Sequence, residues 1–159
     1  MYAAEDVVAA LLTRGGVVDF HGSRLDVPQQ RRFGDLGAVQ RYLDSVRACS
    51  WGAPDTPRPT VRSRRGQSKA HWSAPAEIAV PVESEWAMTE LVVLHEYAHH
   101  VNWHERGRTD HGPDFCGQMQ ELVKGALGDA ASLILLGAYH QSGALTDSVQ
   151  ARPGGGVPP

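Results

Sequence analysis

The pentapeptide His95-Glu96-Tyr97-Ala98-His99 constrains this chain more than any other feature. On a helix, residues i and i+4 lie on the same face, so the two histidines could direct ring nitrogens to one metal ion. Glu96 is offset by one residue and would reach a metal-activated water rather than the metal, the position of a general base. The apolar run LVVL that precedes the motif predicts that it lies in a helix packed against a core.

A catalytic zinc site needs a third protein ligand, and His111 in the segment H-G-P-D-F is the leading candidate. The short polar loop ERGRTD is long enough to reverse the chain, and Gly112-Pro113 would then begin the next helix. Antiparallel packing of the two helices, with Val101 and Phe115 in the contact, would return His111 to the histidine pair. Glu105 and Glu121 are the alternative third ligands.

Several nearby residues have candidate supporting roles. Asp110 or Asp114 could accept the remaining ring N–H of a ligand histidine. Tyr139 and His140 are candidates for stabilising an oxyanion. Cys116 is a candidate fourth ligand, and with it the metal would be structural and the protein a binding module without catalysis.

The order of the predicted elements indicates an α+β fold. A helix at residues 5–13 precedes a hairpin around His21-Gly22-Ser23, and a second helix covers residues 35–49. Residues 59–73 predict two strands joined at 66–68. Residues 76–82 predict a third strand, in which Pro81 indicates either an edge strand or a strand end. If it is an edge strand, a peptide substrate could add to it. A helix capped by Ser84 then covers residues 85–105, and further helices follow from Pro113, broken at Gly128. We therefore expect a small, mostly antiparallel sheet packed on the histidine helix and C-terminal helices.

Length and composition favour one globular domain. The chain has 159 residues, a formal charge of −3 and two cysteines. We predict a single domain over residues 1–150 and a disordered Gly/Pro-rich tail over 151–159. The two cysteines have no disulfide or zinc-ribbon spacing, the first residues lack a signal-peptide pattern, and no long apolar run is present. These features predict a cytoplasmic protein without a membrane partner.

A basic stretch leaves nucleic acid as a possible but not favoured partner. Arg58, Arg62, Arg64, Arg65 and Lys69 precede Trp72, which could support phosphate binding and base stacking. However, the whole chain prefers arginine to lysine, with 13 arginines among its 15 basic residues, so a solvated hairpin face explains the cluster equally well.

The two histidine motifs together resemble a known family. H-E-x-x-H followed by H-G-P-D-F-C-G-Q-M is similar to the metalloprotease core of SprT/Spartan-type proteins. The run from RRGQSKAHW through EIAVP to the histidine helix also resembles a group of small bacterial metallohydrolases. This resemblance covers about residues 59–120. It implies a minimal zincin fold with His95, His99 and His111 as metal ligands and Glu96 as the catalytic acid and base.

The sequence therefore predicts a zinc-dependent metallohydrolase that binds one Zn²⁺ per chain. The favoured activity is that of a metallopeptidase with a peptide or protein substrate and Glu96 as general base. A structural-zinc binding module and a protease acting on DNA-bound proteins are the alternatives.

Overall fold

The computed structural model describes residues 2–144, so the predicted tail at 151–159 lies outside the described residues. Four helices and two small sheets make up this part of the chain, which confirms the α+β class. In chain order the elements are α1 (Tyr2–Arg14), β1 (Gly16–Phe20), β2 (Ser23–Val27), α2 (Leu36–Ala48), β3 (Thr60–Ser63), β4 (His71–Ser73), β5 (Glu77–Val80), α3 (Glu90–Arg106) and α4 (Pro113–Gln141), with a short 3₁₀ turn at Ser50–Gly52.

The first sheet is the predicted hairpin of β1 and β2. Its two-residue turn places both His21 (φ 50°) and Gly22 (φ 80°) in the left-handed region, which matches the twist of the flanking strands. Helix α2 also follows its prediction. Asp35 caps it by accepting the Ala38 N–H at 2.7 Å, and its buried face carries Val39, Leu43 and Val46.

The second sheet has the order β3-β5-β4, which corrects two predictions. Strands β3 and β4 are not paired with each other, because β5 lies between them, parallel to β3 and antiparallel to β4. The segment 76–82 therefore contains the central strand and not an edge strand, with Ile78, Ala79 and Val80 buried, while the alternative that Pro81 marks a strand end is confirmed. Pro81 is tolerated because it directly follows the last paired residue rather than interrupting the pairing. The free edge nearest α3 belongs to β4.

Helix α3 begins at Glu90, not at the predicted Ser84 cap. The backbone before it is held extended against an earlier segment: Phe33 N–H donates to the Met88 carbonyl at 2.8 Å, and Thr89 forms a β-bridge with Arg32. These bonds satisfy groups that an earlier helix start would use. The end of α3 is as predicted, with Gly107 in the left-handed conformation (φ 69°).

Helix α4 begins at Pro113 and is interrupted at Gly128, as predicted; Gly128 has φ 88° and ψ 176°. Its buried face packs on α1 and α3. With a mean hydropathy of 1.3 over its most apolar window, α4 meets the length and composition criteria for a membrane span. Buried core helices meet the same criteria, so this is weak evidence for a membrane.

Candidate metal centre

The structure brings His95, His99 and His111 together around one point. The Nε2 atom of His111 lies 3.0 Å from Nε2 of His99 and 3.2 Å from Nε2 of His95. Two of the rings come from successive turns of α3, and the third stands just before the first turn of α4. Among the described residues, these three form the group of ligand atoms close enough to hold a metal ion.

The donor set fits a divalent metal such as zinc. With Zn–N bonds of 2.0–2.1 Å, tetrahedral ligands are separated by about 3.3 Å, close to the spacing of the three nitrogens. Imidazole nitrogens are also ligands that suit zinc. The cluster could therefore hold one metal ion.

Two of the three histidines, His99 and His111, have lowered pKa values that favour the neutral ring. Burial lowers the pKa of His99 to about 3, assisted by the neighbouring His95 and His111. Burial and His95 likewise lower the pKa of His111. Burial also opposes the charge on His95, but the hydrogen bond and negative charge of Glu5 outweigh it and raise its pKa. At neutral pH, His99 and His111 are neutral and able to bind a metal.

Glu5 in α1 orients His95, a role that the sequence did not reveal. Its Oε2 lies 2.7 Å from Nδ1 of His95, while its Oε1 accepts the hydroxyl of Tyr139 at 2.6 Å. A proton held on Nδ1 leaves Nε2 with the lone pair that faces the cluster. Tyr139 is fully buried and its hydroxyl donates to Glu5. It is therefore not placed to stabilise an oxyanion, the role for which the sequence made it a candidate.

The two aspartates considered as hydrogen-bond acceptors for a ligand histidine bind other groups. Asp110 accepts the Gly112 N–H at 2.8 Å, which shapes the start of α4. Asp114 pairs with Arg108 at 2.9 Å. Both carboxylates therefore stabilise the loop that carries His111 rather than bonding to a histidine ring, and their predicted role was wrong.

Glu96 lies beside the cluster in a buried position, 7% exposed. Its Oε2 accepts the backbone N–H of Trp72 in β4 at 2.7 Å. Burial raises the pKa of this carboxyl, and the attraction of His95 and the Trp72 N–H only partly oppose the effect. The Trp72 N–H therefore holds this carboxyl in place beside the histidine cluster.

Two aromatic residues hold the histidine rings. The ring of Phe115, fully buried, lies 4.5 to 4.9 Å between centroids from all three imidazoles. The indole of Trp72 stacks on His99 at 6.5 Å. The predicted contact of Phe115 at the junction of the two helices is confirmed.

Tyr2, at the start of α1, contacts the cluster from outside. Its hydroxyl lies 3.3 Å from Nε2 of His111, and its ring centroid lies 5.6 Å from His95 and 5.0 Å from His111. The Nζ atom of Lys69 lies over the Tyr2 ring, 5.3 Å from its centroid. The tyrosine therefore places a hydroxyl donor beside the ligand atoms.

The alternative ligands do not join the cluster. Glu105 pairs with Arg106 at 3.0 Å and faces a separate cavity, and Glu121 is exposed on α4. Cys116 is fully buried and does not belong to the group of converging ligand atoms. The described residues thus offer three ligands, the number typical of catalytic zinc sites.

His100, next to the cluster, is a structural residue. It is fully buried, pairs with the Pro57 carbonyl through Nε2 at 2.8 Å and accepts the Trp72 indole N–H at Nδ1, 3.4 Å away. The bonded ring ties α3 to β4 and to the loop after α2.

The basic stretch is partly neutralised within the fold. Arg58 forms a bidentate salt bridge with Asp44, with both hydrogen bonds 2.7 Å long, and Arg62 forms an ion pair with Glu77 at 2.7 Å. Trp72 is only 6% exposed and packs under the histidines. The side chain that was considered for base stacking is therefore not available at the surface.

The fold and the site together define a small α+β domain with a three-histidine cluster that could hold a metal ion. Residues 62–131 match the model of the SprT-like family, which confirms the resemblance predicted from the motifs. No curated protein and no solved structure matches the chain significantly. The matched segment contains the three histidines and Glu96, whereas Tyr2 and Glu5 lie outside it.

Proposed function

We propose that this protein is a zinc-dependent metallohydrolase, and specifically a metallopeptidase that binds one Zn²⁺ through His95, His99 and His111. The observation that carries the proposal is the convergence of three Nε2 atoms beside a buried carboxylate, Glu96. When bound, the metal supplies a Lewis acid and a water of lowered pKa.

The chain's own residues perform the proton transfers. Glu96, fixed by the Trp72 N–H, takes a proton from the attacking water and returns it to the leaving amine. Glu5 keeps the Nδ1 proton on His95 and so holds this ring in the ligand tautomer. The Tyr2 hydroxyl is the candidate donor to the developing oxyanion, because it lies beside the cluster.

Strand β4 is the candidate for binding an extended substrate. It is an edge strand, unlike β5, and it contacts α3 next to Glu96, to which its Trp72 N–H already donates. Backbone groups on such an edge can pair with a peptide in the manner of an added strand. This assignment replaces the one made for residues 76–82.

The proposed substrate is a peptide or a protein, and the proposed compartment is the cytoplasm. The free state of Cys49 and Cys116 supports a reducing compartment. The ion pairs of Arg58 and Arg62 reduce the charge available for phosphates, so nucleic acid remains an unfavoured partner.

Metal analysis combined with peptide hydrolysis tests the proposal. We expect about one zinc per chain in the parent and in Glu96→Gln, with hydrolysis only in the parent. His111→Ala should lose most of its zinc, whereas the control His21→Asn, at an exposed position in the β1–β2 turn, should keep both zinc and activity. A parent protein that binds no zinc after reconstitution, or a Glu96→Gln variant with full activity, would refute the proposal.

A further inference from the structure

A cavity of about 450 Å³ adjoins the histidine cluster on the side of α1, and we call it the α1 pocket. His95 and Glu96 form its inner end, so a group bound in the cavity would contact the proposed reaction centre. Its volume lies within the range of ordinary ligand pockets. One wall is α1, which lies outside the segment that matches the SprT-like family.

The walls of the α1 pocket are mainly apolar. Ala9 faces it from α1 and Leu91 and Val92 from α3, while Ala70 and the half-exposed Trp86 complete the lining. These side chains have no hydrogen-bonding groups apart from the Trp86 indole. An apolar occupant would remove both surfaces from water, which is favourable in proportion to the area buried.

The polar side chains in the pocket wall are already bonded to the protein. The Gln30 amide donates to the Ala9 carbonyl at 3.2 Å and to the Thr13 hydroxyl at 3.0 Å, and its oxygen accepts the Leu91 N–H at 3.1 Å. The Thr89 hydroxyl donates to the Trp86 carbonyl at 2.8 Å. A polar occupant would therefore lose its hydration without finding matched partners in the wall.

Three charged groups lie at the mouth of the pocket, whereas the buried carboxyl of Glu96 lies at its inner end and already accepts the Trp72 N–H. Asp6, Arg32 and Lys69 are all exposed, and Arg32 is 3.7 Å from Glu85. Glu5, the buried acid in the lining, is committed through both oxygens to His95 and Tyr139. Solvated charges of both signs do not select a charged occupant, so the apolar walls decide the preference.

We propose that the α1 pocket is a specificity pocket that binds one apolar side chain, of leucine or phenylalanine size, from a peptide residue next to the scissile bond. This inference rests on the proposed peptidase function, because it assigns the occupant to a peptide substrate. It adds the class of residue that directs the choice of cleavage site.

Binding to an inactive, zinc-loaded protein tests the pocket separately from catalysis. The Glu96→Gln protein is titrated with short fluorescent peptides that are identical except for a central Leu, Phe, Ala, Asp or Lys. We expect the Leu and Phe peptides to bind at least about 10-fold more tightly than the Ala peptide, and more tightly still than the Asp and Lys peptides.

Two variants of α1 provide the matched comparison. Ala9→Phe, placed in the Glu96→Gln protein, should fill the pocket and reduce the preference to less than about 3-fold. Ala10→Phe makes the same change one residue further along, at an exposed position that does not line the pocket, and should leave the preference intact.

The outcomes separate the two proposals. Equal affinities across the series, no binding of any peptide, or a preference that Ala9→Phe leaves unchanged would overturn the pocket proposal. A clear apolar preference in binding, combined with no hydrolysis of the same peptides by the parent protein, would overturn the peptidase proposal while the pocket stands. Hydrolysis without any preference for the central residue would overturn the pocket alone.

Discussion

Oε2 of Glu5 lies 2.7 Å from Nδ1 of His95, although 90 residues separate the two in the sequence. This contact joins the N-terminal helix to the histidine helix at the point where a metal would be held. A carboxylate that accepts the Nδ1 proton makes the imidazole a stronger ligand and fixes its orientation. Helix α1 is thus part of the site and not only a cover for the core.

Glu5→Gln should weaken zinc binding by about 10- to 100-fold, because the amide cannot supply the negative charge that supports His95. Competition with a zinc-binding dye measures the affinity. Asp6→Asn, on the exposed side of the same turn, is the control and should bind zinc as the parent does. Equal zinc affinities in Glu5→Gln and the parent would remove Glu5 from the site.

Tyr2→Phe should lower kcat by about 100- to 1000-fold if the hydroxyl stabilises the oxyanion, the range found when one such donor is deleted. Since the hydroxyl acts on the developing charge, KM and zinc content should change little. Steady-state kinetics and metal analysis of the same preparation provide the measurement. Unchanged kcat would exclude the hydroxyl from catalysis, and a loss of zinc would make it a ligand instead.

Phe115→Ala should destabilise the fold by about 3–5 kcal/mol, because the lost side chain leaves a cavity in the core. It should also weaken zinc binding, since Phe115 packs against all three imidazoles. Met119→Ala, one turn later and also fully buried, should cost about 2–5 kcal/mol without the effect on zinc. Urea unfolding and zinc titration of both variants separate packing from metal support, and a similar loss of zinc affinity in Met119→Ala would contradict the assignment.

His100 should make the metal-free protein less stable in acid. Its pKa is lowered from 6.5 to about 4, mainly by burial, so between these values the unfolded chain binds more protons than the native one. The free energy of unfolding therefore falls as the pH decreases from about 6.5 towards about 4, by up to about 1.4 kcal/mol per pH unit for one proton.

Replacing His100 by glutamine removes this titration, so the decrease in unfolding free energy between pH 7 and pH 5 should be shallower in His100→Gln than in the parent. Urea unfolding at several pH values, with chelator present so that metal release does not contribute, measures both slopes. Parallel slopes would show that His100 is not held as a neutral, buried ring.

Local patterns were sufficient to predict the elements that carry the histidines. The spacing of His95 and His99, the glycine that ends α3 at Gly107 and the proline at Pro113 all act within a few residues. The order of strands could not be predicted in this way, because no local signal distinguishes a central β5 from an edge strand. The start of α3 was misplaced for a related reason: pairing with residues 31–33 competes with the cap at Ser84, and that pairing is not visible in a local window.

The supporting residues of the site were beyond local prediction. Asp110 and Asp114 are close to His111 in sequence and looked suitable, yet nearby backbone and arginine groups bind them. Glu5 and Tyr2 are near the other end of the chain and carry no motif. Only the packing of α1 against α4 brings them to the histidines.

The position of Tyr2 has a practical consequence for handling the protein. Because the first turn of α1 contacts His95 and His111, any residues joined ahead of Tyr2 would emerge beside the cluster. A polyhistidine affinity tag attached there would hold competing imidazoles near the bound metal and could block the mouth of the α1 pocket. Preparations for metal analysis and kinetics should therefore carry the tag at the other end of the chain, or have it removed by cleavage before measurement.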